Sequence, residues 1–520
     1  MGSRLLKSTA VVSAMTLISR ISGLARDVVF ARVFGASGVT DAFFIAFKLP
    51  NFLRRLFAEG AFSQAFVPVL SEYKTQREQE EVRQLVRNVA GTLGLFLFAL
   101  TVIGVLAAPV VIWVFAPGYH DSPEQFALTT HMLKITFPYI MFISLAAVAT
   151  GVLNSYGQFA VPAFTPVLLN ICMIVAAVWV SPYFEQPIIA LAWGVFAAGI
   201  VQLLFQLPAV YKIGLLGIPR WGWSDPGVRK ITKIMIPAII GSSAQQINLV
   251  LDIMISTFLI TGSISWLYYA DRLVEFPLGV FGIAIATVIL PSLSAKFASS
   301  DSEKFSATLE WAVRLTLVVG APATVGLVML SGPMIATMFE DGVNFTAEHT
   351  LMTQYALVTY SIGLLGYMYV KVLAPGYFAR LDTITPMKFS LITIGVKMVL
   401  TATIAPLLLY SGYTAAHIGL AFSTALAALL NAYLLYRGLR RDKVYYHLPG
   451  IKVLVLKVIL GCIAMAAVLS FVNFSSVTWQ VHNLFMQILL VLMWVSAGAF
   501  TYFVALFLLR VNFKALIKHD

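Results

Sequence analysis

Charge is scarce in this chain. Asp, Glu, Lys and Arg together make up 11% of its 520 residues, against about 25% in a soluble domain. Apolar side chains supply 59%, and mean hydropathy is +0.88. That excess is not one oversized core, because apolar runs long enough to cross a bilayer recur from end to end. The chain therefore reads as a polytopic membrane protein. Cysteine is nearly missing too: Cys172 and Cys462 both fall mid-run, so they read as small packing residues, with no disulfide expected. There is no HExxH, no Cys/His pair, no GxxxxGK[ST] and no GxSxG, which argues against a histidine metal site, a P-loop ATPase and a serine hydrolase. No large extramembrane domain is left to house an active site, so no enzyme activity is expected. The first apolar run contains Arg20 and lacks a small-residue cleavage site, so it is not read as a signal peptide.

What is present is about fourteen apolar spans, near 9–34, 39–70, 86–115, 126–153, 161–180, 188–211, 233–258, 264–294, 307–337, 350–377, 384–408, 415–436, 451–472 and 484–509. Helix is the expected state of each, since a membrane barrel would show short alternating strands. Their connections fall into two sets. One holds Lys74, Arg77, Arg83 and Arg87, then Lys212, Arg220, Arg229 and Lys230, and later Arg437, Arg440, Arg441 and Lys443. The alternate connections contain no Lys or Arg and carry Asp121, Glu124, Glu185, Glu340, Asp341 and Glu348 instead. By the positive-inside rule both termini are cytoplasmic. The net charge of +12 is then a topology signal and a contact with anionic lipid, and a nucleic-acid partner is not expected.

The chain also repeats. VPVLSEY, with Pro68, matches LPSLSAK, with Pro291, at an offset of 223; KITFPYI around Thr136 matches ALVTYSI around Thr359 at 223; and Pro162 matches Pro386 at 224. An offset of six spans puts both halves in the membrane in one orientation, as in parallel-repeat transporters. The expected architecture is an all-α fold of two pseudo-twofold-related six-helix lobes plus two C-terminal helices. Its divisions are an N-lobe over 1–211, a linker over 212–232, a C-lobe over 233–438 and the extra pair over 439–520.

Against this apolar background the stretch from Ser19 to Gly60 stands out, with Arg20, Arg26, Asp27, Arg32, Asp41, Lys48, Arg54, Arg55 and Glu59. A charge facing lipid at the bilayer centre costs roughly 2.5–3.5 kcal/mol even on lenient scales. These groups must therefore pair, sit at an interface or line water. The second half adds Asp271, Arg272 and Glu275 in YYADRLVEFP. Structural ion pairing of Arg20 and Arg26 with Asp27, Asp41 or Asp271 is the plain reading. Cations are in excess, however, and arginine suits two-pronged contact with phosphate, so a hydrated basic cavity for an anionic ligand is the preferred one. Arg54, after the helix-breaking Pro50, and Arg272 are expected to join it. Asp252 is a lone carboxylate in the seventh span and a candidate cation site. Lys134, Lys371 and Lys397 read as snorkelling or packing residues.

The run from Leu6 through Tyr73, LKSTAVVSAMTLISRISGLARDVVFARVFGASGVTDAFFIAFKLPNFLRRLFAEGAFSQAFVPVLSEY, closely resembles the N-terminal signature of the MurJ (MviN) family. That family comprises the bacterial lipid II flippases of the multidrug/oligosaccharidyl-lipid/polysaccharide exporter superfamily. The likeness continues through SWLYYADRLVEFPLGVFGIAIATVILPSLS and VKVLAPGYFARLDTITP. It implies a V of two lobes and an extra helix pair whose groove takes a polyprenyl tail. The family's cavity arginines fall on Arg20, Arg26, Arg54 and Arg272, accompanied by Asp27, Asp41, Asn51, Ser265 and Glu275. Some relatives use a cation site on the seventh helix, where Asp252 stands.

The resemblance implies that the chain moves lipid II, an undecaprenyl-pyrophosphate-linked disaccharide pentapeptide, from the cytoplasmic to the periplasmic leaflet of the inner membrane by alternating access. No cofactor is expected, and the energy source is expected to be membrane potential, Na⁺ or H⁺. Expected partners are lipid II, membrane lipids and peptidoglycan-synthesis proteins. The alternatives are a cation-coupled exporter of drugs or of other polyprenyl-linked oligosaccharides, and a glycosyltransferase acting on the same lipid. An arginine-rich cavity disfavours a cationic drug, and short outer loops disfavour the glycosyltransferase.

Overall fold

The computed structural model describes residues 2–55, 62–472 and 474–513, and within these it is helical throughout, with no strand. It divides into two compact units, residues 1–262 and 263–520.

The first unit runs through α1 (Gly2–Phe34), α2 (Gly38–Arg54), α3 (Ser63–Gln76), α4 (Gln79–Leu106), α5 (Ala108–Phe115), α6 (Pro123–Thr136), α7 (Tyr139–Ser155), α8 (Ala160–Val175), α9 (Ile189–Lys212) and α10 (Pro226–Ser256). The second holds α11 (Ser263–Pro277), α12 (Ile283–Ala298), α13 (Ser302–Met329), α14 (Ser331–Phe339), α15 (Ala347–Ile362), α16 (Leu364–Phe378), α17 (Ile384–Tyr410) and α18 (Ile418–Arg441). It ends with α19 (Ile451–Leu469), the short α20 (Ser476–Gln480) and α21 (Leu484–Leu508).

Among the described residues, ten helical segments are long and apolar enough to cross a membrane, so this is a multi-pass membrane protein. The expected spans missing from those ten are the first, second, seventh and eighth, formed by α1, α2 with α3, α10, and α11 with α12. They are helical like the rest. Each carries ionisable side chains within its run: Arg20, Arg26 and Asp27 in α1, Asp41, Lys48 and Arg54 in α2, Asp252 in α10, and Asp271, Arg272 and Glu275 in α11. These four carry every expected site residue.

The internal repeat reappears in the helix ends. Helix α4 begins at Gln79 and ends at Leu106, while α13 begins at Ser302 and ends at Met329, each 223 residues on. Helix α2 ends at Arg54 and α11 at Pro277, and both lead into a wide π turn, at Arg55 and at Leu278. The cause is local: Pro50 stands within the last turns of α2 and Pro277 closes α11, and a proline withdraws one backbone donor.

In lipid, helices associate through close packing and small residues rather than through a hydrophobic drive. The second unit shows this at α16 and α18. A Cβ at Gly363 would lie 2.6 Å from the Ala425 Cα, and one at Gly366 would lie 2.7 Å from the Leu429 amide. Only glycine lets these backbones approach.

The linker at 212–232 is not loose. The Arg220 amide donates to the Arg87 carbonyl at 3.1 Å and the Gly222 amide to Thr92 Oγ1 at 3.0 Å, laying it along α4. Asp225 then starts α10 by accepting the Gly227 and Val228 amides, while its other oxygen takes Asn88 Nδ2 at 2.9 Å. This is N-capping with a second anchor. The boundary between the two compact units falls at Gly262. By sequence α10 is the counterpart of α1, yet it packs on α3 and α4 of the first unit.

Candidate functional site

In the first unit α1 presents Arg26 and Asp27 to α8. Both are buried, at 5% and 1% exposure. The Arg26 Nε and Nη2 both donate to Asp27 Oδ1, at 2.9 and 2.6 Å, and Nη1 donates to Asn170 Oδ1 at 3.0 Å. Asn170 passes the connection back to α1, its Nδ2 donating to Ser22 Oγ at 2.9 Å and to the Ser19 carbonyl at 3.3 Å. A buried ion is tolerated only when paired and hydrogen-bonded on several sides, and this network meets that demand. Asp27, one of the three acids weighed as partners for Arg26, is in place.

Arg20 behaves differently. It is half-buried on α1 and makes no ion pair or hydrogen bond among the described residues. Its charge remains available to a ligand.

Helix α2 carries Asp41 near its start and Asn51 and Arg54 near its end. Asp41, 3% exposed, accepts the Gly262 amide at 2.6 Å and so fastens the turn after α10 to the head of α2. Gly262 sits at φ 94°, the left-handed region that favours glycine. Arg54 Nε donates to Asn51 Oδ1 at 3.1 Å, and Asn51 Nδ2 donates to the Phe47 carbonyl at 3.0 Å, which aims the guanidinium along the helix end. The break that allows this has its own repair. Pro50 cannot donate to the Ala46 carbonyl, and the buried Thr136 hydroxyl of α6 donates there at 3.0 Å instead.

In the second unit Ser265 is fully buried in α11, while Arg272 and Glu275 reach its exposed side. Arg272 Nη1 donates to Glu275 Oε2 at 2.7 Å, with side-chain exposures of 34% and 48%, and its guanidinium lies 4.9 Å from the Tyr268 ring centre. A half-exposed pair one turn apart contributes little stability, and a cation over an aromatic face is oriented without being neutralised. Arg272 is held in position by Glu275 and Tyr268. Asp271 beside it is exposed.

Asp252 is half-buried in α10. Among the described residues no three His, Cys, Asp or Glu side chains converge as a metal site would require. Sequence reasoning passed over Asn170 and Tyr268, the residues that hold Arg26 and Arg272. The signal for Asn170 was a lone amide inside the apolar run VLLNICMIV.

Residues 30–490 match the model of the family "MurJ: Lipid II flippase MurJ". The chain belongs to that family. It is 46% identical over 520 residues to a probable lipid II flippase MurJ of Vibrio cholerae, covering 99% of this chain and 98% of the relative. It is 42% identical over 450 residues to the lipid II flippase MurJ of Burkholderia cenocepacia, covering 86% of each. A solved MurJ structure in an inward closed conformation superposes with a TM-score of 0.80 at 30% identity, covering 98% of this chain and 99% of that one. An inward-facing multidrug transporter of the MATE family and MOP superfamily follows at 0.65, covering 84% of this chain and 98% of its own, but at 16% identity. That last likeness concerns the fold alone.

Proposed function

We propose that this chain flips lipid II across the membrane by alternating access, as the MurJ family does, and that its arginines receive the pyrophosphate. One observation carries the reading: Arg20, Arg26, Arg54 and Arg272 all stand within expected membrane spans, on α1, α2 and α11, where a charge facing lipid is costly. Two adjoining phosphates need cationic partners, and guanidinium is the side chain matched to them. Arg20 and Arg272 would take the phosphates directly. Arg26, tied to Asp27 and Asn170, would set the field around them, with Asp27, Asp41, Asn51, Ser265 and Glu275 fixing positions. The covalent structure of the lipid is unchanged by such a step, so no bond-making machinery is called for.

The rest of the scheme follows from the loops. With the Lys- and Arg-bearing connections inside, both termini are cytoplasmic, the chain lies in the bacterial inner membrane, and cargo moves outward. Moving an anion outward gains about 2.3 kcal/mol per charge per 100 mV when the inside is negative. Potential is therefore the proposed drive, with Asp252 the candidate for Na⁺ or H⁺. Helices α19 and α21 would shelter the polyprenyl tail, and peptidoglycan-synthesis proteins are the proposed partners. The repeat fits two six-helix lobes as the moving parts.

The test is rescue. In cells depleted of their own lipid II flippase, expression of this chain should restore lipid II at the outer leaflet, read by an externally added enzyme that cleaves it. Exposure that stays at the depleted level, with the protein present in the membrane, contradicts the proposal.

A further inference from the structure

We propose that the second unit carries a separate binding site for the phosphate headgroup of an anionic membrane phospholipid. A cavity of about 440 Å³ opens where α13, α19 and the segment following α21 meet. Arg314, Lys457 and Arg510 line it, and no acidic side chain does among the described residues.

Each cation is placed by a specific arrangement. Arg314 donates from Nε to Glu310 Oε1 at 2.8 Å, and from Nη2 to the Leu448 and Pro449 carbonyls at 2.8 and 3.0 Å. Glu310 is fully buried and also accepts the Tyr445 hydroxyl, with His447 Nδ1 at 3.2 Å. One acid therefore balances Arg314 and pins the linker between α18 and α19 against α13. Lys457 donates to the Arg510 carbonyl at 3.1 Å. Arg510 turns the chain with φ 54° at the end of α21, and its exposed guanidinium makes no ion pair or hydrogen bond among the described residues. Among the described residues no acid pairs with Lys457 or Arg510, which together bring two positive charges to the cavity.

The start of α19 adds to the field. Gly450 precedes it at φ 89°, and no side chain caps its leading amides, which border the same cavity. Unsatisfied amides at a helix start favour an anion.

A lipid suits the cavity better than free phosphate because its other walls are apolar. Trp311, Val453 and Leu454 line it. Outside, Val453, Leu456 and Leu508 are exposed along α19 and α21, as a surface against acyl chains would be. The cavity also lies beside the linker bearing Arg440, Arg441 and Lys443. Basic pockets between helices on that side of a membrane bind lipid headgroups.

The experiment is lipid binding to the full chain, purified in detergent, followed by native mass spectrometry. Phosphatidylglycerol, phosphatidylcholine and inorganic phosphate are the probes. The wild type should hold one phosphatidylglycerol about tenfold more tightly than phosphatidylcholine, as expected when basic residues meet an anionic headgroup. Lys457→Ala/Arg510→Ala should erase that preference, while Lys457→Arg/Arg510→Lys and the neighbouring Arg440→Ala/Arg441→Ala should keep it. Millimolar inorganic phosphate should not displace the lipid. No preference in the wild type, or an undiminished preference in the alanine pair, overturns the proposal. Displacement by phosphate makes the site one for a soluble anion and overturns the lipid assignment. Should the alanine pair aggregate, the wild-type preference and the Arg440→Ala/Arg441→Ala control still decide.

Discussion

Arg26 of α1 and Asn170 of α8 are joined by a 3.0 Å hydrogen bond from Nη1 to Oδ1, and both side chains are buried. The bond ties two helices 144 residues apart through a charged group that lipid could not accommodate. It also separates two kinds of arginine in this family member. Arg26 is built into the packing, while Arg272 stands half-exposed over Tyr268. Loss of function at the two positions should therefore have different causes.

Replacing Asn170 by Ala removes one partner of a buried charge. A hydrogen bond to a charged group contributes about 1.5–3 kcal/mol, so Asn170→Ala should lower the thermal unfolding midpoint of the purified protein clearly. Asn170→Asp should restore much of it by adding an opposite charge. Unfolding followed by tryptophan fluorescence in detergent is the check.

Arg26→Ala should be costlier than Arg272→Ala. Removing one member of a buried pair leaves the Asp27 carboxylate short of its partner, at about 3–5 kcal/mol. The exposed Arg272–Glu275 pair contributes about 0–1 kcal/mol. The same fluorescence measurement should find Arg272→Ala close to wild type and Arg26→Ala strongly shifted.

Thr136→Val keeps the shape of the side chain and deletes the donor to the Ala46 carbonyl, which Pro50 leaves without its helical partner. A buried acceptor left unsatisfied costs about 1–3 kcal/mol. Pro50→Ala in the same chain should recover most of the loss, because the backbone amide it introduces can then donate to the Ala46 carbonyl. A double-mutant cycle on unfolding midpoints reads this coupling.

Gly366→Ala should push α16 from α18, since its Cβ would lie 2.7 Å from the Leu429 backbone amide. Overpacking of this kind costs about 1–3 kcal/mol. Gly395→Ala, in a helix where a Cβ meets nothing within 4 Å, is the control and should be neutral or slightly stabilising. Yield and midpoint after purification are the readouts.

Much of this was legible in the residues. The prolines at 68 and 291 announced a repeat whose helix ends then fell 223 residues apart, because proline and glycine fix local backbone whatever surrounds it. The charged spans were legible because hydrocarbon makes any charge conspicuous. Asn170 was not, since an uncharged amide in an apolar run reads as packing until its partner is seen. The packing of α10 was not legible either. A repeat reports ancestry of the chain, whereas contact with α3 and α4 depends on tertiary surfaces that no single segment encodes. The same limit applied to Asp41, which accepts a backbone amide at Gly262.

The central claim is that a displayed arginine receives the pyrophosphate of lipid II. It is tested most directly by outer-leaflet exposure of lipid II in flippase-depleted cells carrying wild type, Arg272→Ala or Arg272→Lys at equal membrane levels. The account predicts full exposure with wild type, loss with Arg272→Ala and partial recovery with Arg272→Lys, which keeps the charge and loses the planar fork. Full exposure with Arg272→Ala would contradict it.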